Sequence, residues 1–293
     1  MLDFVSRISV VCFAASYAVA LACEASRLLF RSGVRGAVMV GFAAAGLVAH
    51  TAFLLWRAAS EGAVPLSSPF DWYLLAAWVL AAGSLALTLA TPRTPIGLFM
   101  LPVVLALIGA ATLSSREPFP QTPATQVWGM IHGSLNLAAS LAVAAGAIAA
   151  VMWLFQAGRL ARKQAPKRGF RMPSLERLFE TTRHAMTVAA WTAAAGFTSG
   201  IILNAVNKQR GLLETVPWTD PVVLRMGMLV SWLIVAAVIA RVVKQRPGGA
   251  RTIVWLSLVS FAVLTGSILW GLFGDTRHGV PPVSPPAINE VAA

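Results

Sequence analysis

The sequence predicts an all-α fold, a polytopic integral membrane protein of about eight transmembrane helices with both termini outside. Three observations lead there. The chain of 293 residues is 57% hydrophobic and only 12% charged, more apolar surface than a soluble domain of this length can hide. The apolar residues gather into runs of about 20, the length that crosses a hydrocarbon core of about 30 Å. The net charge of +12 collects in the gaps between runs rather than on one face of a folded domain. That is the pattern of membrane loops meeting anionic lipid, not of a nucleic-acid surface.

The runs begin near residues 5, 36, 70, 95, 126, 178, 222 and 251. The first holds both cysteines, Cys12 and Cys23, in no C-x-x-C or C-x-x-C-H arrangement, so a thiol-redox motif and covalent haem are unsupported. Ala20-Leu21-Ala22-Cys23 has the outline of a cleavage site. The preceding segment, however, carries Asp3 beside a single Arg7, and the apolar run continues to Phe30, so it reads as a helix that stays in place. The second run carries His50 in its middle. The third follows the turn signals from Pro65 to Pro69, and the fourth contains Pro102, a helix-kinking residue that lipid tolerates when neighbours cover the freed carbonyl.

The fifth run is long, from about Thr125 past Trp153 toward Arg162, and leads into the basic stretch from Arg159 to Pro173. The sixth contains Gly196 and Gly200 in a G-x-x-x-G, read here as close helix packing within the chain. Gaps from Asn207 to Pro221 and from Arg246 to Gly249 bound the seventh, and the eighth ends before His278. Residues 1–279 are expected to form a single transmembrane helical domain. The proline-rich tail of residues 280–293, without apolar periodicity, is expected to be disordered.

Sixteen of the 23 Lys and Arg residues fall in the loops joining helices one to two, three to four, five to six and seven to eight. The positive-inside rule makes those loops cytoplasmic, and the expected location is the cell inner (plasma) membrane, multi-pass. Most of the ten tryptophans lie near helix ends, where interfacial anchoring explains them.

Of four histidines, this topology sends two to one face. His132 lies just inside the outer end of helix five, within Trp128-Gly129-Met130-Ile131-His132, and His278 follows the outer end of helix eight. Two neutral imidazoles from separate helices are what a six-coordinate haem iron needs. Between them runs Glu214-Thr215-Val216-Pro217-Trp218-Thr219-Asp220-Pro221, whose Trp218 offers a platform to a flat porphyrin. Lys208, Arg210 and Arg225 are nearby cations suited to haem propionates. His184, among Glu180, Thr181, Thr182 and Arg183, reads as a solvated or lipid-facing residue. No carboxylate pair, P-loop, H-E-x-x-H or G-x-S-x-G occurs.

The C-terminal half, residues 126–279, resembles the cytochrome c assembly family that includes CcsA, ResC and the HemX-like proteins. The motifs follow that order: Trp128 to Ser134 opening a helix, Pro173-Ser174-Leu175-Glu176-Arg177-Leu178 entering the next, Trp218-Thr219-Asp220-Pro221, then a last helix ending before His278. The resemblance implies that His132 and His278 ligate haem and that Trp218 and Asp220 cradle it, with His50 as counterpart of a transmembrane histidine that contacts the cofactor. It also implies non-covalent haem b, cytochrome c biogenesis with a partner membrane protein of cytochrome c assembly, and at most a component role in haem attachment. The family loop reads W-G-x-x-W-x-W-D-P, whereas here Gly211-Leu212-Leu213-Glu214 and Val216-Pro217 occupy the stretch. A second transmembrane histidine, expected between Asp220 and His278, is absent. A membrane scaffold or regulator keeping the family fold, and a small-solute transporter, are the alternative readings.

Overall fold

The computed structural model describes residues 9–26, 33–60, 68–119, 125–163, 172–210, 216–244 and 246–273. Those residues are helical and contain no strand. The helices are α1 (Val10–Ser26), α2 (Gly33–Ser60), α3 (Pro69–Ala90), α4 (Gly97–Leu113), α5 (Met130–Ala161), α6 (Leu175–Arg210), α7 (Pro221–Val243) and α8 (Gly249–Phe273). A π-helical turn, Thr125–Gly129, leads directly into α5. Among the described residues six helices are long and apolar enough to cross a membrane, while α1 and α4 are shorter apolar helices of 17 residues each. The chain is a helical, multi-pass membrane protein. The expected disorder of residues 280–293 lies outside the described residues.

The helices form two four-helix bundles. In the first, α1 packs on α2 and α4, and α3 closes the ring against both. The spacing of α1's buried residues shows how the sequence builds this: Phe13, Tyr17, Ala20 and Glu24 recur every three or four positions and so share one face. They meet Leu74 and Ala77 of α3, Val104 of α4 and the His50 side of α2. In the second bundle α5 packs chiefly on α6, with α7 and α8 completing the ring. Its core is rich in alanine, including Ala189, Ala193, Ala236 and Ala240, and small side chains let the helix axes approach.

α5 joins the two bundles, touching α3 and α4 on one side and α6 and α8 on the other. Leu141, Ala144 and Ile148 of α5 belong to the core of the first bundle. Gly146 lies at the crossing with α6 and α8, where an added Cβ would come within 3.0 Å of Ser257 Oγ and 3.2 Å of Ala185 Cβ. Near the other end of α5, an added Cβ on Gly133 would stand 2.3 Å from Cζ2 of the Trp72 indole, which thus lies directly on the α5 backbone. Large exposed apolar residues such as Val48, Leu55, Val151, Trp191 and Met228 ring the assembly, as expected of a lipid-facing surface.

Several polar groups inside are satisfied by bonds between helices. The Trp78 indole N–H donates to Thr51 Oγ1 at 2.8 Å and the Trp232 N–H to Ser260 Oγ at 2.9 Å, each bond crossing between helices. α3 starts on a capping box, Ser68 with Asp71 and Pro69 at the first position, which orders its first turn. The same Asp71 carboxylate pairs with the Arg57 guanidinium near the end of α2, both side chains almost fully buried. The Arg57 and Arg116 guanidiniums lie 5.0 and 4.8 Å from the Phe70 ring centroid.

Removing one member of a buried ion pair strands the other charge. Arg57→Gln is expected to lower stability by about 3 kcal/mol, read from unfolding in mixed detergent micelles. Arg57→Gln combined with Asp71→Asn, which keeps the capping oxygen, recovers most of the loss. A single variant as stable as the parent would show the pair to be dispensable.

Candidate cofactor site

His132 lies in the first turn of α5, just after the π-helical turn. Such turns widen the helix and re-aim the residues around them, and they recur at functional sites. The imidazole is aimed at α6, where two residues without side chains receive it. A Cβ on Gly200 would lie 2.8 Å from His132 Cε1 and 2.9 Å from Nδ1, and a Cβ on Gly196 2.9 Å from Asn136 Oδ1. The G-x-x-x-G therefore serves contact within the chain, its two gaps filled by His132 and Asn136. These partners stand one helical turn apart and so on one face of α5.

The hydrogen bonds identify the tautomer. Nδ1 of His132 lies 2.8 Å from the Gly196 carbonyl, which can only accept, so Nδ1 carries the proton and donates. Ser199 Oγ donates to the same carbonyl at 2.7 Å. The lone pair therefore sits on Nε2, where Asn136 Nδ2 approaches to 3.2 Å while also donating to the His132 carbonyl at 2.9 Å. An imidazole whose Nδ1–H is tied to a backbone carbonyl, with Nε2 basic, is the usual state of a histidine that ligates a metal. His132 as a residue is half-buried.

One turn beyond Gly200 on the same face of α6 stands Asn204. Its Nδ2 donates to the Val216 carbonyl and its Oδ1 accepts from the Val216 N–H, both at 3.0 Å. This two-point clamp holds the segment leading into Trp218 against α6, above the histidine. Trp218 is 63% exposed, in a turn closed by the Asp220 N–H donating to the Pro217 carbonyl at 2.9 Å. Asp220 is buried and caps α7, its carboxylate accepting from the Val222 N–H at 2.8 Å with Pro221 at the first helical position. The capping role accounts for an aspartate-proline pair here without any cofactor.

The candidate residues divide. His132, Trp218 and Asp220 gather at one end of the second bundle, where α5 and α7 begin and α6 and α8 end. His278, five positions past the end of α8 at Phe273, lies outside the described residues. Lys208 is exposed at the His132 end; the side chain of Arg210 lies outside the described residues. His50 is not brought to them. It is fully buried in the first bundle, stacked on Phe13 with centroids 4.1 Å apart and rings 3° from parallel. Its Nδ1 lies 3.4 Å from the Tyr17 hydroxyl, while Nε2 has no partner among the described residues. No group of three or more potential metal-ligating side chains occurs among the described residues. His184 is exposed beside Glu180 and Arg183 at the opposite end, as expected.

Three residues around His132 escape a search for ligand types: Asn136, Ser199 and Asn204. Their periodicity was available. Asn136 follows His132 by four, and Gly196, Gly200 and Asn204 recur every four, so each set marks one helix face. That the two faces meet is a tertiary fact.

No family model, curated protein or solved structure matches the chain. The site therefore stands on its geometry and on the motif order.

Asn204→Ala removes both bonds to the segment before Trp218 and is expected to cost roughly 1–2 kcal/mol. Amide hydrogen exchange in residues 216–220 should rise with α5 and α6 unaffected. Unchanged exchange there would mean that the loop is held by something other than Asn204.

Proposed function

We propose that this chain is a haem-binding membrane protein of cytochrome c biogenesis, holding or presenting non-covalent haem b at the outer face of the inner membrane, with all eight helices crossing and both termini outside. The single observation that carries the reading is the state of His132. Its Nδ1 proton is committed to the Gly196 carbonyl, and the lone pair stays on Nε2, which Asn136 Nδ2 approaches to 3.2 Å, in a half-buried residue near the start of α5. Added support comes from the motif order along residues 126–279 and from Trp218, whose exposed indole stands at the same end as His132.

The residues fit the group in their donor chemistry. His132 Nε2 and His278 would hold the iron, Trp218 would offer the porphyrin an apolar face, and Lys208 and Arg225 would supply positive charge to the carboxylates. When bound, the group would supply a one-electron iron centre or be a cargo for delivery. What the chain's own residues do is positioning. Gly200 gives room to the ring and Gly196 to Asn136, the Gly196 carbonyl fixes the tautomer, Asn204 anchors the loop, and Asp220 sets the start of α7. Such a site acts with a partner membrane protein that engages the apocytochrome.

A second reading, a scaffold or regulator that keeps the arrangement without the cofactor, is favoured by Asn136. Its amide already covers Nε2 at 3.2 Å. The loop before Trp218 also lacks the further tryptophans of the resembling family.

An absorption spectrum separates the two. The protein purified from haem-replete cells is expected to show a Soret band, diminished in His132→Ala and absent in the His132→Ala/His278→Ala variant, while Asn136→Ala retains or strengthens it. A colourless wild-type protein, or a band indifferent to both histidines, would favour the scaffold. The topology has its own test. In a background with Cys12 and Cys23 replaced by serine, a cysteine at Trp218 should react with a membrane-impermeant maleimide in intact cells, and one at Lys163 only after lysis.

A further inference from the structure

His50 divides the interior of the first bundle into an apolar half and a polar half. On one side Phe13 of α1 stacks on the His50 ring at 4.1 Å. Phe53 lies 5.7 Å from Phe13, Phe70 of α3 lies 6.4 Å from Phe53, and the Arg57 guanidinium lies 5.0 Å from Phe70. From the imidazole to the Arg57–Asp71 pair the bundle is thus filled by phenylalanine rings, which can neither give nor take a proton.

Toward Glu24 the character changes. The Tyr17 hydroxyl lies 3.4 Å from His50 Nδ1. The tyrosine ring rests on the α2 backbone one turn before the histidine, where an added Cβ on Gly46 would stand 3.0 Å from Cε1. Tyr17 also borders a cavity of about 10 Å³ to which all four helices contribute, room for one water molecule. Ser84 and Thr88, four apart on one face of α3, line it together with Met39 of α2 and Gly97 of α4. Both residues are buried, and neither hydroxyl has a hydrogen-bond partner among the described residues. Glu24, 2% exposed, stands beside the cavity, its Cγ 3.7 Å from where a Cβ on Gly97 would be.

A buried hydroxyl without a partner costs free energy, and a single water that gives and takes hydrogen bonds removes the cost for two at once. A polar cavity of this size holds such a water where an apolar one stays dry. The His50 imidazole is fully buried, with Nε2 unpartnered among the described residues. An ionisable side chain kept at that cost inside a membrane protein marks a functional position. Around the same interior the other titratable groups are Cys23 and Glu24 on α1, Tyr73 on α3 and the Arg57–Asp71 pair. α4 brings none, and neither does α5 where Leu141, Ala144 and Ile148 pack on the bundle.

We infer that the cavity binds one water molecule through Ser84, Thr88 and Tyr17, and that this water makes His50 a proton-binding site reached from the Glu24 end alone. With the phenol donating to Nδ1, the proton of the neutral imidazole sits on Nε2. Uptake then runs along the chain of donors: the Tyr17 O–H gives its proton to Nδ1, the water gives one to the Tyr17 oxygen, and the water is replenished from the Glu24 end. One N–H forms, every O–H broken on the way is remade, and no electron moves. The Phe13, Phe53 and Phe70 rings bar the opposite exit. The path is separate from the His132 end and does not rest on haem.

Two measurements on the full-length protein in lipid nanodiscs test this. In brief radiolysis, hydroxyl radicals formed from bound water oxidise the side chains beside it. Met39 at the cavity and Met186 in the second bundle are each 4% exposed; Met39 should be oxidised and Met186 spared, and Ser84→Ala/Thr88→Val should bring Met39 down to the Met186 level. Proton access is read from hydrogen–deuterium exchange at the His50 imidazole, by nitrogen NMR of histidine-labelled protein. Tyr17→Phe and Ser84→Ala/Thr88→Val should each slow it about tenfold, the rate equivalent of one lost hydrogen bond, with His132 unaffected. Glu24→Gln should slow it as well, whereas Arg116→Gln, beside Phe70 at the other end, should not.

Met39 oxidised no more than Met186 overturns the water site. Exchange at His50 as fast in Tyr17→Phe as in wild type overturns the path, and equal slowing by Glu24→Gln and Arg116→Gln overturns its one-sidedness. Should Tyr17→Phe fail to fold, the Ser84→Ala/Thr88→Val variant carries the same comparison. A haem band lost in His50→Gln would assign the imidazole to iron and sink the inference. Neither measurement needs a coloured protein, so failure of the haem reading and failure of this one are distinguishable.

Discussion

Inside a bilayer, a polar side chain that finds no partner within the protein finds none at all, and the α5–α6 seam is where this constraint acts most strongly. His132, Asn136 and Ser199 all project into it. They are accommodated because α6 withholds side chains at Gly196 and Gly200, so that the imidazole reaches a helix carbonyl already engaged in the backbone ladder. Close approach and hydrogen bonding are one device here. A side chain at either glycine would push the helices apart and strand the polar groups at once.

The rest of the His132 end is built outward from that seam. Asn204 continues the glycine face by one turn and fixes the start of the segment containing Trp218. Asp220 converts that segment into the start of α7. On the opposite flank of α5, Gly133 admits the Trp72 ring, so the first turn of α3 docks beside the histidine. That turn is itself held by the Ser68–Asp71 capping box and by Arg57 of α2. A chain of local contacts thus runs from α2 through α3 to α5 and α6.

The two intramembrane histidines illustrate opposite solutions. His132 sits near a helix end, half-buried as a residue, with a short bond on Nδ1. His50 is fully buried against Phe13 and Tyr17, with one long contact to a phenol and one nitrogen without a partner among the described residues. Stacking on Phe13 compensates part of the cost of burying it. The residue types are identical and the chemistry open to them is not, because neighbours and depth differ.

Much was legible in the sequence by itself. The class of solvent, the helical segments and their approximate boundaries follow from runs of about 20 apolar residues, since lipid leaves the backbone few alternatives. The intrachain meaning of Gly196 and Gly200 was also readable, because small residues four apart mark a face for close packing. Only the tertiary structure decided that Asn136 and His132 fill those two gaps, that Asn204 clasps Val216, and that His50 lies in a different bundle from His132. It also showed Asp220 to be a helix cap. The physical reason is common to all of these: periodicity tells which residues share a face of one helix, but the pairing and rotation of helices depend on side-chain complementarity between segments far apart in the chain, and nearly uniform apolar helices carry little local record of it.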